Sequence, residues 1–255
     1  MTKPGMSSVV ERRLLVNYRV DPGAVASLLP PPLRPQLVNG WAVAGICLIR
    51  LGQARPSWLP GAFGLRSENA AHRVAVEWDD ERGPVAGVYI PRRDSGSAVN
   101  VLVGGWLAPL RQHPASFDVR ETRQSVHVAY TSRDRLTHVS VDVRSAEKFQ
   151  GSALFGGLDQ ASEFFRQGSV GYSPGLRAGR LEGLELKTDA WRVQPVEIEA
   201  VSSSFFDDPE RFSPGSATLD HALLMRDVRA TWTPLPSLVR RSSPEAPAVS
   251  SVDLP

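Results

Sequence analysis

Residues 18–33 read YRVDPGAVASLLPPPL, and three changes of character within this stretch point to the fold class. The segment upstream, Val9 to Val20, is apolar and β-branched enough to be a strand. Asp21 then supplies a carboxylate for the orphan amides of a helix start, and Pro22 suits the first helical position because it has no amide to leave unpaired. Ala24, Val25, Leu28 and Leu29 share one helical face, and Pro30-Pro31-Pro32 stops the helix. Beyond the prolines, Trp41 to Leu51 is apolar on both faces, as a buried strand would be.

Working outward, Arg73–Trp78 and Val85–Ile90 are predicted strands, and Ser97–Leu107, with its glycine pair, is predicted to be helical. The clearest hairpin runs from Ser125 to Ser132 and returns from Leu136 to Arg144, with Thr137, Val139, Val141 and Val143 on one face and His138, Ser140 and Asp142 on the other. Leu158, Ala161, Phe164 and Phe165 fall at helical spacing before Gly168. Arg180 to Val201 is strand-rich, and from Arg240 onward Ser, Pro and Ala follow no period. Strands outnumber helices, so the expected class is α+β, mainly β. The expected organisation is a flexible N-terminus over residues 1–8, one domain over 9–239 and a disordered tail over 240–255.

The length of 255 residues allows one large domain with a substantial core. With 29 Lys+Arg against 27 Asp+Glu there is no net field to draw the chain to nucleic acid or to an anionic membrane. A lone cysteine, Cys47, excludes an intramolecular disulfide and a multi-thiolate metal centre. No segment approaches the roughly 18 apolar residues of a membrane span, and residues 1–8 have no apolar leader, so the expectation is a cytoplasmic protein. No paired metal ligands, phosphate loop or nucleophile elbow occurs, so no metal and no cofactor is implied.

Three separated segments, in order, resemble the acetoacetate decarboxylase superfamily. They are Tyr18-Arg19-Val20-Asp21 with Leu29-Pro30-Pro31-Pro32-Leu33, then Ala98 to Ala115 with Val103-Gly104 and Leu107, then Val196 to Ser204. Leu158–Gln167 followed by Gly171-Tyr172 is more similar to the DUF2071 branch. The resemblance spans about Val9 to Thr231 and implies an acetoacetate decarboxylase-like β-barrel, closed or nearly so, with a few flanking helices and an interior cavity. In the decarboxylases a lysine, kept neutral by its surroundings, forms a Schiff base with the keto substrate. Laid on that motif without gaps, this chain carries Gln112 and His113 where the family has two adjacent lysines. The only lysines are Lys3, Lys148 beside Glu147, and Lys187 on a strand face shared with Glu185 and Asp189, so Schiff-base chemistry is not expected.

The resemblance also marks Glu68 as an acidic site position and His113 as an imidazole able to move protons near neutral pH. His72, Gln112 and Arg93 are candidate binding residues, Arg93 together with Arg92 through the match of a guanidinium to a carboxylate. Each has a plain alternative: a solvated loop for Glu68 and His113, a structural histidine for His72, a turn charge for Arg93. The expected function is binding of a small-molecule ligand, with acid–base conversion of a small carbonyl or carboxylic compound (dehydration, isomerisation or aldol-type chemistry) if the protein is an enzyme. The alternative is a non-catalytic ligand-binding or stress-related protein. Neither nucleic acid nor membrane is an expected partner, and a homo-oligomer stays open.

Overall fold

The computed structural model describes residues 5–81, 83–97 and 110–239. In chain order these form β1 (Met6–Val20), α1 (Pro22–Ala26), β2 (Arg34–Pro35), β3 (Leu37–Val38), β4 (Trp41–Pro56), β5 (Leu65–Asp80), β6 (Gly83–Ser95), β7 (His113–Glu121), β8 (Ser125–Ser132), β9 (His138–Ser145), α2 (Leu158–Gln167), β10 (Val170–Pro174), β11 (Arg180–Thr188), β12 (Gln194–Ser203) and β13 (Ala217–Val239). The helix start at α1 is built as its residues dictate: Asp21 accepts from the amides of Gly23 and Ala24, with Pro22 in the first turn.

All thirteen strands belong to one sheet that closes on itself in a ring. Five long strands, in the order β13-β1-β4-β5-β6, make a continuous wall. From its two edges β12-β9-β8 and β7 complete the main ring, while β10 and β11 bridge β6 to β13 in a second, smaller circuit. The wall forks because β6 and β13 each use different parts of their length. Val88 and Tyr89 pair with β10 whereas Asp94 and Ser95 pair with β7, and Ala222–Leu224 pair with β12 whereas Ala230–Val239 pair with β11.

Two cores follow from the two faces of the wall. Leu14, Val16, Tyr18, Ile46, Leu48, Val74 and Leu224 pack inside the main ring against Val126, Val128, Tyr130, Val139, Val141 and Val143 of the β8–β9 hairpin. Leu15, Val43, Cys47, Ala75, Leu223 and Met225 face outward and are covered by Leu154, Phe155 and the Ala161 and Phe165 side of α2. A buried polar chain crosses the outer face: Arg73 donates to Asn17, the Asn17 amide donates to His221 Nε2 at 3.0 Å, and His221 Nδ1 donates to Asp220 at 2.7 Å. The Ser152 hydroxyl donates to the same carboxylate at 2.5 Å. These contacts fix the neutral imidazole as the Nδ1–H tautomer, and burial lowers its pKa despite Asp220.

Several expectations need correction. Met6 and Ser7 pair with Trp232 and Thr231, so the strand begins inside the segment expected to be flexible. Asp94 and Ser95 end β6, held by pairing to both β5 and β7, although Asp94-Ser95-Gly96-Ser97 has the composition of a turn. The helix expected over Ser97–Leu107 lies almost wholly outside the described residues, as does the 240–255 tail. Among the described residues no helix is long and apolar enough to cross a membrane.

Candidate functional site

Strand pairing places chemically important side chains in layers along the inside of the ring. Residues directly opposite one another on neighbouring strands face the same side of a sheet. Arg226, Arg12, Arg50 and Glu68 are such opposites on β13, β1, β4 and β5, and form one row across the wall. An irregular register between Val10 and Arg12 reverses the facing of β1, so that Val10 packs outward while Arg12 points inward with Leu14 and Val16.

Glu121, at the far end of β7, joins the row from the opposite side of the ring. Glu68 receives Arg12 Nη2 and Arg50 Nε at 2.5 Å each, one on each oxygen. Glu121 receives Arg50 Nη1 at 3.0 Å, Arg12 Nη1 at 3.3 Å and, on its other oxygen, Arg226. Three guanidiniums therefore face two carboxylates. Arg12 is fully buried, which lowers its pKa although Glu68 opposes the shift, and its Nε has no hydrogen-bond partner among the described residues.

The next layer, one step of two residues or roughly 7 Å along the strands, contains Leu224, Leu14, Leu48, Ala70 and Asp94. Asp94 is 1 % exposed, and burial raises its carboxyl above the ordinary value against the pull of Arg92. Arg92 Nη2 lies 3.0 Å from Asp94 and 2.9 Å from Asp134. The Ser132 hydroxyl, the Leu136 amide and Arg92 hold the Asp134 carboxyl well below its usual range. Tyr130 faces the same region: its hydroxyl has no well-formed hydrogen bond among the described residues, and burial together with the Asp94 charge raises its pKa.

One layer further, Ala222, Val16, Ile46, His72 and Arg92 are opposites. His72 is completely buried, stacks on Phe205 at 4.6 Å between ring centres, and has no partner for either ring nitrogen among the described residues. Burial, aided by Arg92 and Arg211, drives its pKa down to about 3, so the ring is neutral. Buried polar atoms without protein partners are uncommon because each costs desolvation energy, and a site for a ligand or solvent is a recurring reason for them.

The residues expected from the sequence are thus divided. Glu68 and His72 share the inner face of β5. His113 sits at the start of β7 opposite Asp94, with Nδ1 3.3 Å from Asp134, and Gln112 precedes it half-buried. Arg93 faces the other way and donates to Ser173 at 2.8 Å on the β10 side, where burial lowers its pKa to about 10, so its neighbour Arg92 is the arginine of the inner cluster. Sequence reasoning missed Arg12, Arg50, Glu121, Asp94 and Tyr130. The available signal was an arginine at position 50 interrupting an otherwise apolar strand. Among the described residues no cluster of metal-ligating side chains occurs.

The model of the family DUF2071, described as an uncharacterized conserved protein, matches residues 9–228. No curated protein matches the chain. Among solved structures it is similar to an acetoacetate decarboxylase-like enzyme from Sphingomonas wittichii RW1 (TM-score 0.57, 13 % identity, covering 95 % of this chain and 94 % of that one). It is also similar to the acetoacetate decarboxylase of Legionella pneumophila (0.55, 11 %, covering 90 % and 85 %). A third similar structure is the enduracididine biosynthesis enzyme MppR complexed with pyruvate (0.52, 18 %, covering 94 % and 92 %). At these identities the likeness is one of fold.

Proposed function

The chain belongs to the DUF2071 family, and from that premise we propose that the inside of its ring binds a small oxo acid and moves a proton on it without a Schiff base. The observation that carries this is the row Arg226–Arg12–Arg50, in which three guanidiniums form ion pairs with two carboxylates among the described residues and the buried Arg12 Nε has no hydrogen-bond partner among them. A ligand carboxylate supplies the missing negative charge. The gap of roughly 7 Å from that row to Asp94 suits a chain of about three carbons, with the leucine layer against its apolar side. Asp94, rather than Glu68, is then placed to take a proton from the carbon next to the carbonyl and return it: its carboxyl is raised by burial and held by one arginine among the described residues, Arg92, whereas the two oxygens of Glu68 are held by two arginines, Arg12 and Arg50. The fold shared with a pyruvate complex supports the size of the ligand.

Lysine has no part in this proposal. Lys148 and Lys187 are exposed, and Lys187 pairs with Glu185 at 3.2 Å, so neither has the apolar surroundings that would free its amine. A cytoplasmic location belongs to the same proposal and rests on the single free cysteine, Cys47.

The engagement of Glu68 favours one second reading, a binding protein that holds the oxo acid and does nothing to it. Calorimetric titration with pyruvate, and separately with acetone as a ketone lacking the carboxylate, tests the common part. Pyruvate binding that is lost in Arg50→Gln, with none for acetone, is expected; equal behaviour of both compounds overturns the proposal. Exchange of the pyruvate methyl protons in heavy water, followed by NMR, separates the readings. Borohydride should trap no covalent adduct.

A further inference from the structure

The outer face of the wall carries a pair of arginines that no carboxylate answers among the described residues. Arg13 on β1 and Arg73 on β5 both face α2, and together with Gln36, Phe164, Phe165 and Gly168 they line a narrow cavity beneath that helix. The cavity is narrow, with room for one small occupant.

Arg73 is 5 % exposed. It donates one bond to Asn17 and lies 4.7 Å over the Phe165 ring, and its Nε has no partner among the described residues. Arg13 lies 5.7 Å over the Trp191 ring, and its buried Nε is likewise without a partner. Neither is in ion-pair contact with a carboxylate among the described residues. The two are close enough to repel: after burial, which is the larger cause, Arg13 contributes to lowering the Arg73 pKa to about 10.

A buried guanidinium such as that of Arg73 is costly without a counter-charge, and the half-buried Arg13 on the same cavity adds to that cost. Nearby dipoles offset only part of it. The last turn of α2, at Phe164 and Phe165, brings the negative end of a helix, worth about half an elementary charge, and the Phe165 face adds a cation–π contact. Against two positive charges this leaves an excess of more than one.

We propose that Arg13 and Arg73 hold a small monovalent anion of the halide class between the sheet and α2, and that this anion fastens the helix to the sheet. The narrowness of the cavity favours a single small ion over a sulfate or a larger organic acid, and the Nε–H groups of its two lining arginines have no hydrogen-bond partner among the described residues. This site is on the opposite face of the wall from the ring interior, and its failure would leave the oxo-acid proposal untouched.

The test is thermal unfolding of the full chain in sodium chloride, sodium bromide and sodium gluconate at equal ionic strength, together with bromide-soaked crystals examined for anomalous scattering. Chloride and bromide should raise Tm saturably over gluconate, by about 3–6 °C at tenfold excess over Kd, with a bromide peak between the two guanidiniums. Arg13→Gln, at the less buried position, should abolish the rise, and Arg73→Lys should weaken the apparent anion affinity while keeping the fold. The same response in gluconate, a rise undiminished in Arg13→Gln, or no bromide peak would each overturn the proposal.

Discussion

Arg12 on β1 reaches past the whole width of β4 to place its Nη2 2.5 Å from Glu68 on β5, and Arg50 of the intervening strand grips the other oxygen of the same carboxylate. Such an arrangement tolerates the loss of both charges better than the loss of one, because a lone charge left in the interior keeps its desolvation cost without compensation. Glu68→Gln should therefore lower stability by about 2–3 kcal/mol, below the full range for a buried pair because Glu68 keeps some solvent contact. Arg12→Met combined with Glu68→Gln should cost less than the sum of the two single changes. Urea unfolding of the four proteins measures both effects, and a Glu68→Gln cost within 0.5 kcal/mol, about that of an exposed pair, would show that the row is solvated.

The proposed chemistry makes Asp94 the proton carrier. Asp94→Asn should leave pyruvate affinity within a factor of about three while slowing methyl-proton exchange by about a hundredfold or more. In the native protein, exchange should fail as the pH drops through an apparent value above that of an ordinary aspartate, since burial favours the protonated carboxyl and only the carboxylate can accept the proton. An exchange rate insensitive to Asp94→Asn, beside a normal rate in the native protein, would move the role to another group.

Acid should weaken the fold from about pH 6.5 downward through its buried histidines. His72 has a pKa near 3 when folded and about 6.5 when unfolded, so between those values the unfolded chain binds the extra proton. Its contribution is complete above pH 6.5 and declines as the pH falls toward 3, by about 1.4 kcal/mol per unit once below the unfolded value. His221, also lowered by burial, acts in the same direction. His72→Leu should remove one proton's worth of slope between pH 6 and pH 4.5 in urea titrations; an unchanged slope would mean that the imidazole stays hydrated in the native state.

The sequence revealed strands and caps more readily than the site, for physical reasons. The alternation over Val139, Val141 and Val143, and the Asp21–Pro22 start, are local patterns that one segment states by itself. Glu68 and His72 were separable from background only through the family resemblance, and their inward facing depends on the pairing of β5 with β4. The arginine row unites positions 12, 50, 68, 121 and 226, and nothing local in any of those segments announces the others. Arg92 and Arg93 show the limit most plainly. They are neighbours in sequence on opposite faces of β6, and choosing between them required knowing which face the ring encloses. Asp94-Ser95-Gly96-Ser97 has the composition of a turn, but pairing with β5 and β7 overrides that preference at Asp94 and Ser95.

Two glycines near the start of β4 separate steric from conformational demands. A Cβ at Gly45 would stand 2.3 Å from the Val16 carbonyl oxygen and 3.2 Å from Asn17 Oδ1. Both atoms belong to β1, which is paired along its length on both sides and cannot retreat. Gly45→Ala should consequently cost about 1–3 kcal/mol, as overpacking does, and by displacing Asn17 it should also loosen the Arg73–Asn17–His221 chain. Gly40, in the turn before β4, has φ +81° with nothing within 4 Å of a would-be Cβ, so Gly40→Ala should cost only the backbone term of about 1 kcal/mol. Urea unfolding gives both values, and the NMR signal of the His221 ring protons should move in the first variant and not in the second. A Gly45→Ala protein as stable as the native one, with its His221 signal in place, would mean that β1 and β4 are less closely apposed at Val16 than 2.3 Å requires.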